Sequence, residues 1–253
     1  MNTVEQAARL LVESRWTIAL TGAGISVDSG IPDFRSPGGL WDRFDPFEYA
    51  HIDAFLHDPE KVWTMLREMH DVIHGAKPNA GHFALAELEQ LGILKAIITQ
   101  NIDSLHQLAG SQEVIEFHGN SRKLVCLECG AKYNAEKVHE RTKEKGVWPP
   151  VCDHDGRVLK PDVVLFGEPI PVEASVLAQR QARECDVILV IGTSAMVFPA
   201  SGIPMLARQT GATVIEVNRT STALTDSVAH ISLHGSSTEI LPRIVEHVRR
   251  MRA

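Results

Sequence analysis

The chain has 253 residues, of which 44% are hydrophobic and 23% charged, with a formal net charge of -7. That length suits one large domain, or one domain with a smaller insert, and buries most of its apolar surface unaided. The composition excludes disorder as the main state. It also excludes a disulfide scaffold, with only 4 cysteines, and a dedicated nucleic-acid binder, which would show a basic excess.

Val4, Ala7, Ala8 and Leu11 fall at helical spacing, so the first segment reads as a short amphipathic helix rather than a signal peptide. No run reaches the ~18 apolar residues of a membrane span. The expected setting is therefore the cytoplasm, a reducing compartment, with no membrane partner. Trp16 to Thr21 reads as a buried strand ending in glycines. Asp58-Pro59 offers an N-cap followed by Pro at the first helical position, leading into Val62, Met65, Leu66 and Met69. Phe83 to Leu88 continues the helical pattern to Gly92. Ala96 to Thr99, Val187 to Ile191 and Thr213 to Val217 are further short apolar runs. Ala200 to Arg208 and Ile240 to Met251 supply later helices.

Continuous apolar strands alternating with helices predict an α/β fold: a Rossmann-like, doubly wound parallel sheet with ligands beyond the strands' carboxyl ends. We expect one catalytic unit over 1–253. Its sheet domain takes about 1–40, 93–122 and 161–253, with a helical insert at about 41–92 and a small cysteine-containing module at about 123–160.

Gly22-Ala23-Gly24 follows the first strand directly, where glycines allow a tight turn and a close approach to pyrophosphate. Val27 stands where a full dinucleotide fingerprint has its third glycine, so this fragment alone fits a nucleotide site or simple turn geometry. Two other patterns read as decoys. His70 and His74 stand at i and i+4, but no third ligand presents itself, and the pair reads as an exposed helix face. Gly192-Thr193-Ser194 follows a strand but lacks the second glycine of a hydrolase elbow.

The run from Gly22 to Trp41, through Ser29-Gly30-Ile31-Pro32-Asp33-Phe34-Arg35, resembles the opening signature of the sirtuin family. Further sirtuin-like motifs follow in order: Thr99 to His106, Phe117-His118-Gly119-Asn120, Lys160 to Glu168, Gly192-Thr193-Ser194 with Pro199-Ala200, and Glu216-Val217-Asn218. The resemblance spans about Thr17 to Pro242.

It implies an NAD-dependent deacylase acting on acylated-lysine proteins or peptides. In that chemistry the acyl oxygen attacks the ribose carbon as nicotinamide leaves. By resemblance the catalytic residues are His118, as general base toward a ribose hydroxyl, with Asn101 and Asp103. The NAD-binding set implied is Gly22, Ala23, Gly24, Ser26, Phe34, Arg35, Gln100, Asn101, Ile102, Asp103, His118, Gly192, Thr193, Ser194, Asn218 and Ser237. Val164, Leu165, Phe166, Gly167 and Glu168 would form the strand beside which a peptide lies. Sirtuins that prefer succinyl or malonyl lysine carry a Tyr and an Arg on the helix after the first motif. Leu66 and Met69 fall at those positions here, which implies acetyl or longer apolar acyl groups.

Cys126-Leu127-Glu128-Cys129 suits two ligands of a tetrahedral zinc ion. Where the family has a second Cys-x-x-Cys, this chain has Cys152-Asp153-His154-Asp155, so the expected zinc set is Cys126, Cys129, Cys152 and Asp155, with His154 as the alternative. Cys185 reads as an inert core residue. A mono-ADP-ribosyltransferase would share the NAD cleft, and a non-catalytic binding module is the third reading. The resemblance also implies a monomer.

Overall fold

The computed structural model describes residues 3–34 and 38–253. A helix α1 (Thr3–Glu13) leads into β1 (Thr17–Thr21), and three short 3₁₀ segments follow among the described residues. Four helices follow: α2 (Pro46–Tyr49), α3 (Ile52–His57), α4 (Pro59–Gly75) and α5 (Ala80–Gln90). Next come β2 (Leu94–Thr99), α6 (Leu105–Leu108), β3 (Val114–Glu116), β4 (Gly119–Val125), β5 (Lys132–Asn134) and α7 (Ala135–Lys145). The chain closes with β6 (Lys160–Val163), α8 (Val172–Glu184), β7 (Val187–Ile191), α9 (Gly202–Gln209), β8 (Thr213–Asn218), β9 (Ile231–His234) and α10 (Ser237–Arg252).

Six strands form one parallel sheet in the order β3-β2-β1-β7-β8-β9. Every residue of β1 and of β7 is buried, as expected of strands covered on both faces. One cluster joins α1, α5 and α10 to the sheet through Leu11, Leu85, Leu88, Leu241 and Ile244. A second covers the other face with Ala178 and Ala182 of α8 and Ile203 and Ala207 of α9. The expected doubly wound sheet is thus what forms. Its edges, β3 and β9, are absent from the sequence reading. Each is at most four residues long, too short to show periodicity.

The helix start expected at Asp58-Pro59 is observed: the Asp58 carboxylate accepts the Lys61 N–H and Pro59 opens α4. A smaller antiparallel sheet, β5-β4-β6, carries the cysteines. Its strands begin at Gly119 and end at Val163, so they reach past the expected module on both sides. A third core cluster joins this sheet to the helical insert, with Phe55, Val62, Trp63 and Met65 packed with Leu124, Leu159, Val163 and Leu165. Gly119 pairs with Val163, so one end of the small sheet carries both His118, just before β4, and the 164–168 segment, just after β6.

Buried histidines make this fold acid-sensitive. Burial holds His82 at about 4 and His106 well below its ordinary value, and neither is exposed. Below pH 6.5 the unfolded chain takes up protons that the folded chain refuses, so stability falls as pH falls. His82 alone should remove about 2 kcal/mol between pH 7 and pH 5. Urea melts at those two pH values check this, and equal midpoints would contradict it.

Candidate active site

The carboxyl ends of β1, β2, β7 and β8 open into a cleft of about 1050 Å³. Its floor begins at the glycine turn. The Gly22 N–H donates to the Ile191 carbonyl, and the Gly24 N–H to the Gly192 carbonyl at 2.8 Å. A Cβ on Gly24 would stand 2.7 Å from the Gly192 Cα, so two loops approach as closely as glycine alone allows. Gly192 has φ +59, which favours glycine a second time.

From the end of β2, Asn101 donates its amide to the Gly22 carbonyl at 3.2 Å and to Ser26 Oγ at 3.1 Å. Ser26 Oγ in turn donates to Asp103 Oδ2 at 2.8 Å, while the Leu105 N–H donates to Asp103 Oδ1. Asp103 is buried, and burial raises its pKa against those two donors. A carboxylate so desolvated is a strong acceptor for an amide N–H. The next residue, Ser104, holds φ +61, a left-handed conformation concentrated at functional sites.

His118 projects from the turn between β3 and β4. Its Nδ1 lies 3.0 Å from the Gln100 carbonyl, which can only accept, so Nδ1 carries the proton and Nε2 is the free base. Burial lowers its pKa from the ordinary histidine value, opposed by that hydrogen bond. The ring is therefore neutral at pH 7. Gln100 donates to Thr193 Oγ1 at 3.0 Å, and Asn218 donates to the Thr193 carbonyl at 2.9 Å, closing the far side.

Gly22, Ala23, Gly24, Ser26, Phe34, Gln100, Asn101, Ile102, Asp103, His118, Gly192, Thr193, Ser194 and Asn218 all line this one cleft. Arg35 lies outside the described residues. Ser237, expected at the cofactor, is instead buried in the first turn of α10 beside Gly81 of α5 and does not line the cleft. The sequence reading missed the rim formed by Thr220, Ser221, Thr222 and Ala223. Buried Glu216 anchors that rim by accepting the hydroxyls of Thr222, Thr225 and Ser232, a role that a lone Glu in an apolar strand could have signalled.

Val164 to Glu168 line the same cleft, but they do not form a strand; β6 stops at Val163. The reason is that their N–H groups are spent within the chain. Val164 donates to the His118 carbonyl, Phe166 to the Ala50 carbonyl and Leu165 to Glu168 Oε2 at 2.8 Å. Buried Lys160 donates to the same carboxylate at 3.0 Å and to the Val163 carbonyl at 2.6 Å. Glu168 therefore braces the segment from behind. Apolar side chains of α4 (Met65, Leu66, Met69 and Ile73) extend the cleft beyond Ile102 and Phe166.

The cysteine cluster lies elsewhere. Cys126, Cys129, Cys152 and Asp155 bring one ligand atom each within 4.8 Å of one another. Cys129 Sγ is 3.6 Å from Cys152 Sγ, and Cys126 Sγ is 3.3 Å from Asp155 Oδ2. A tetrahedral zinc with ~2.3 Å bonds to sulfur holds its sulfurs about 3.8 Å apart, so the donor set fits. Two like knuckles build it. The Gly130 N–H donates to the Cys126 carbonyl and the Gly156 N–H to the Cys152 carbonyl, with φ +71 and +72 at the two glycines. Asp155 thus holds the place in the second knuckle that Cys129 holds in the first. His154 stands farther off, its Nδ1 3.9 Å from Cys129 Sγ. None of these four residues lines the cleft.

A family model described as the Sir2 family matches residues 22–199. The chain belongs to the Sir2 family. NAD-dependent protein deacylase 2 of Pyrobaculum aerophilum is 46% identical over 96% of this chain and 95% of its own length. Among solved Sir2 enzymes, one is 44% identical and superposes with a TM-score of 0.92 over 99% of both chains. Another, bound to a myristoylated histone peptide, is 38% identical with a TM-score of 0.83, covering 99% of this chain and 98% of that one. Sir2 membership accounts for both the parallel sheet and the separate cysteine module.

Proposed function

We propose that this Sir2 protein removes acyl groups from lysine side chains, consuming NAD and releasing nicotinamide and an O-acyl-ADP-ribose. The observation that carries this reading is one cleft joining a polar end (Asn101, Asp103 and the free Nε2 of His118) to an apolar end walled by α4. NAD, when bound, supplies an electrophilic ribose carbon and nicotinamide as leaving group. The glycine turn, Thr193, Ser194 and Asn218 would hold the dinucleotide, and Asp103 would accept from the nicotinamide amide. Asn101 would order ribose and water, and Phe34, stacked on Trp41 at 5.2 Å, would screen the reacting carbon from solvent. His118 Nε2 would take the proton of a ribose hydroxyl.

On the substrate side, the Val164 carbonyl and the Gly167 N–H have no partner among the described residues. They are the backbone groups that an extended peptide could meet, which limits it to a short stretch of pairing around the acylated lysine. No helix among the described residues is long and apolar enough to cross a membrane. We take the protein to act as a cytoplasmic monomer without nucleic acid, a reading that the acidic balance supports.

The apolar wall sets acyl choice. Leu66 and Met69 offer no cation or hydroxyl to a succinyl carboxylate, and burying that charge unpaired costs several kcal/mol. Nicotinamide formation with acetyl, myristoyl and succinyl forms of one peptide tests the proposal. The expected kcat/KM for acetyl and myristoyl exceeds that for succinyl by at least about 100-fold. Equal desuccinylation would overturn this account of the wall, and no NAD consumption with any of the three would overturn the function.

A further inference from the structure

Seven buried side-chain nitrogen and oxygen atoms lack a hydrogen-bond partner among the described residues, and four of them sit together: His70 Nε2, His74 Nε2 and both ring nitrogens of His139. This corrects the sequence reading of His70 and His74 as an exposed face without a third ligand. The third histidine comes from α7, on the cysteine module, far along the chain from α4. The His70 side chain keeps only 19% of its exposure. Its ring stacks on His74 with centroids 3.9 Å apart and meets His139 edge-on at 3.8 Å. Trp63 and Trp148 close the far side of His139.

A buried nitrogen without a partner is destabilising, and four at one place call for an explanation. We propose that His70, His74 and His139 form a second metal site, separate from the cysteine cluster, for a borderline divalent ion of the zinc or nickel type. Imidazole nitrogen is the preferred donor for these ions, and histidines at i and i+4 present two donors from one helix face. His70 Nδ1 lies 3.4 Å from Asp71 Oδ1, the contact an outer carboxylate makes to a metal-bound histidine, and its Nε2 is left buried without a partner. Burial lowers the pKa of all three rings, that of His139 to about 4, so they are neutral and able to ligate at pH 7. The charged groups facing the cluster are Asp71 and Glu136 on one side of the balance and Arg122 and Lys143 on the other.

As placed, the rings stack rather than converge. An ion with bonds of ~2.1 Å to nitrogen holds two imidazole centroids about 5 Å apart. Binding therefore spreads the His70–His74 and His70–His139 pairs by about 1 Å and turns His74 and His139 onto the common ion through side-chain rotation. The ion then ties α4 to α7. The same helix α4 walls the cleft with Met65, Leu66, Met69 and Ile73, and His70 and His74 flank that face, so metal bound there stiffens the wall.

The test is a Zn²⁺ titration of the tag-free, full-length protein against a chromophoric chelator, repeated with Co²⁺ for its spectrum. We expect two equivalents in the wild type. The cysteine cluster gives a thiolate charge-transfer band, and the second equivalent adds only ligand-field bands. His74→Gln and His139→Gln should each weaken the second equivalent at least tenfold while keeping the thiolate band. His57→Gln, on α3, should keep both equivalents. A single equivalent in the wild type, or a second equivalent that survives both substitutions, overturns the proposal. Should His139→Gln unfold for want of packing, His74→Gln and the wild-type stoichiometry decide the matter.

Discussion

Replacing His118 with alanine is expected to lower kcat for deacetylation by about 10²–10⁴, the usual contribution of a positioned general base. The Gln100 carbonyl fixes the proton on Nδ1 and leaves Nε2 facing the cleft, so this ring has one role available. The pH profile carries the same signature. Activity in the wild type should fall as pH drops through the ring's lowered pKa, below the ordinary histidine value of 6.5. The variant should lose that acid limb along with the rate. His118→Gln separates packing from chemistry, because it fills the site and still lacks a base. Stopped assays of both variants from pH 5 to 8 check this; rates within tenfold of wild type would remove His118 from the proton transfer.

The second large effect concerns stability rather than rate. Breaking the cysteine cluster with Cys126→Ala should cost about 3–5 kcal/mol, or roughly 10 °C in Tm, because bound structural zinc contributes directly to folding. Cys126 is buried in the core cluster that also holds Trp63, Leu124 and Leu159, so losing the metal loosens the junction with the helical insert. Asp155→Cys should act in the opposite sense, tightening zinc by supplying a fourth thiolate within the same knuckle. Thermal melts with and without chelator, alongside metal analysis, measure both. A chelator-insensitive Tm in the wild type would mean that the module holds by packing alone.

How far the sequence carried varied with the physics of each element. β1, β2, β7 and β8 were legible because strands covered on both faces must be apolar throughout. β3 and β9 were not, since edge strands of three and four residues carry little pattern. The cleft residues from Gly22 to Asn218 were placed by motif, and the fold brings them together because each motif ends a parallel strand. Ser237 failed that rule; it opens a helix, and its side chain packs toward α5. Val164 to Glu168 were read as a peptide-binding strand by resemblance to the family, and the motif does not reveal that Glu168 and Ala50 occupy the backbone donors. His139 was invisible as a partner of His70 and His74, because only the packing of α7 on α4 brings them together.

The most direct measurement of the central claim is mass spectrometry of an acetyl-lysine peptide incubated with this protein and NAD. Equal amounts of deacetylated peptide, nicotinamide and O-acetyl-ADP-ribose are the predicted result. Nicotinamide release with the peptide still acetylated, and ADP-ribose found on protein instead, would contradict it and assign the cleft to ADP-ribosyl transfer.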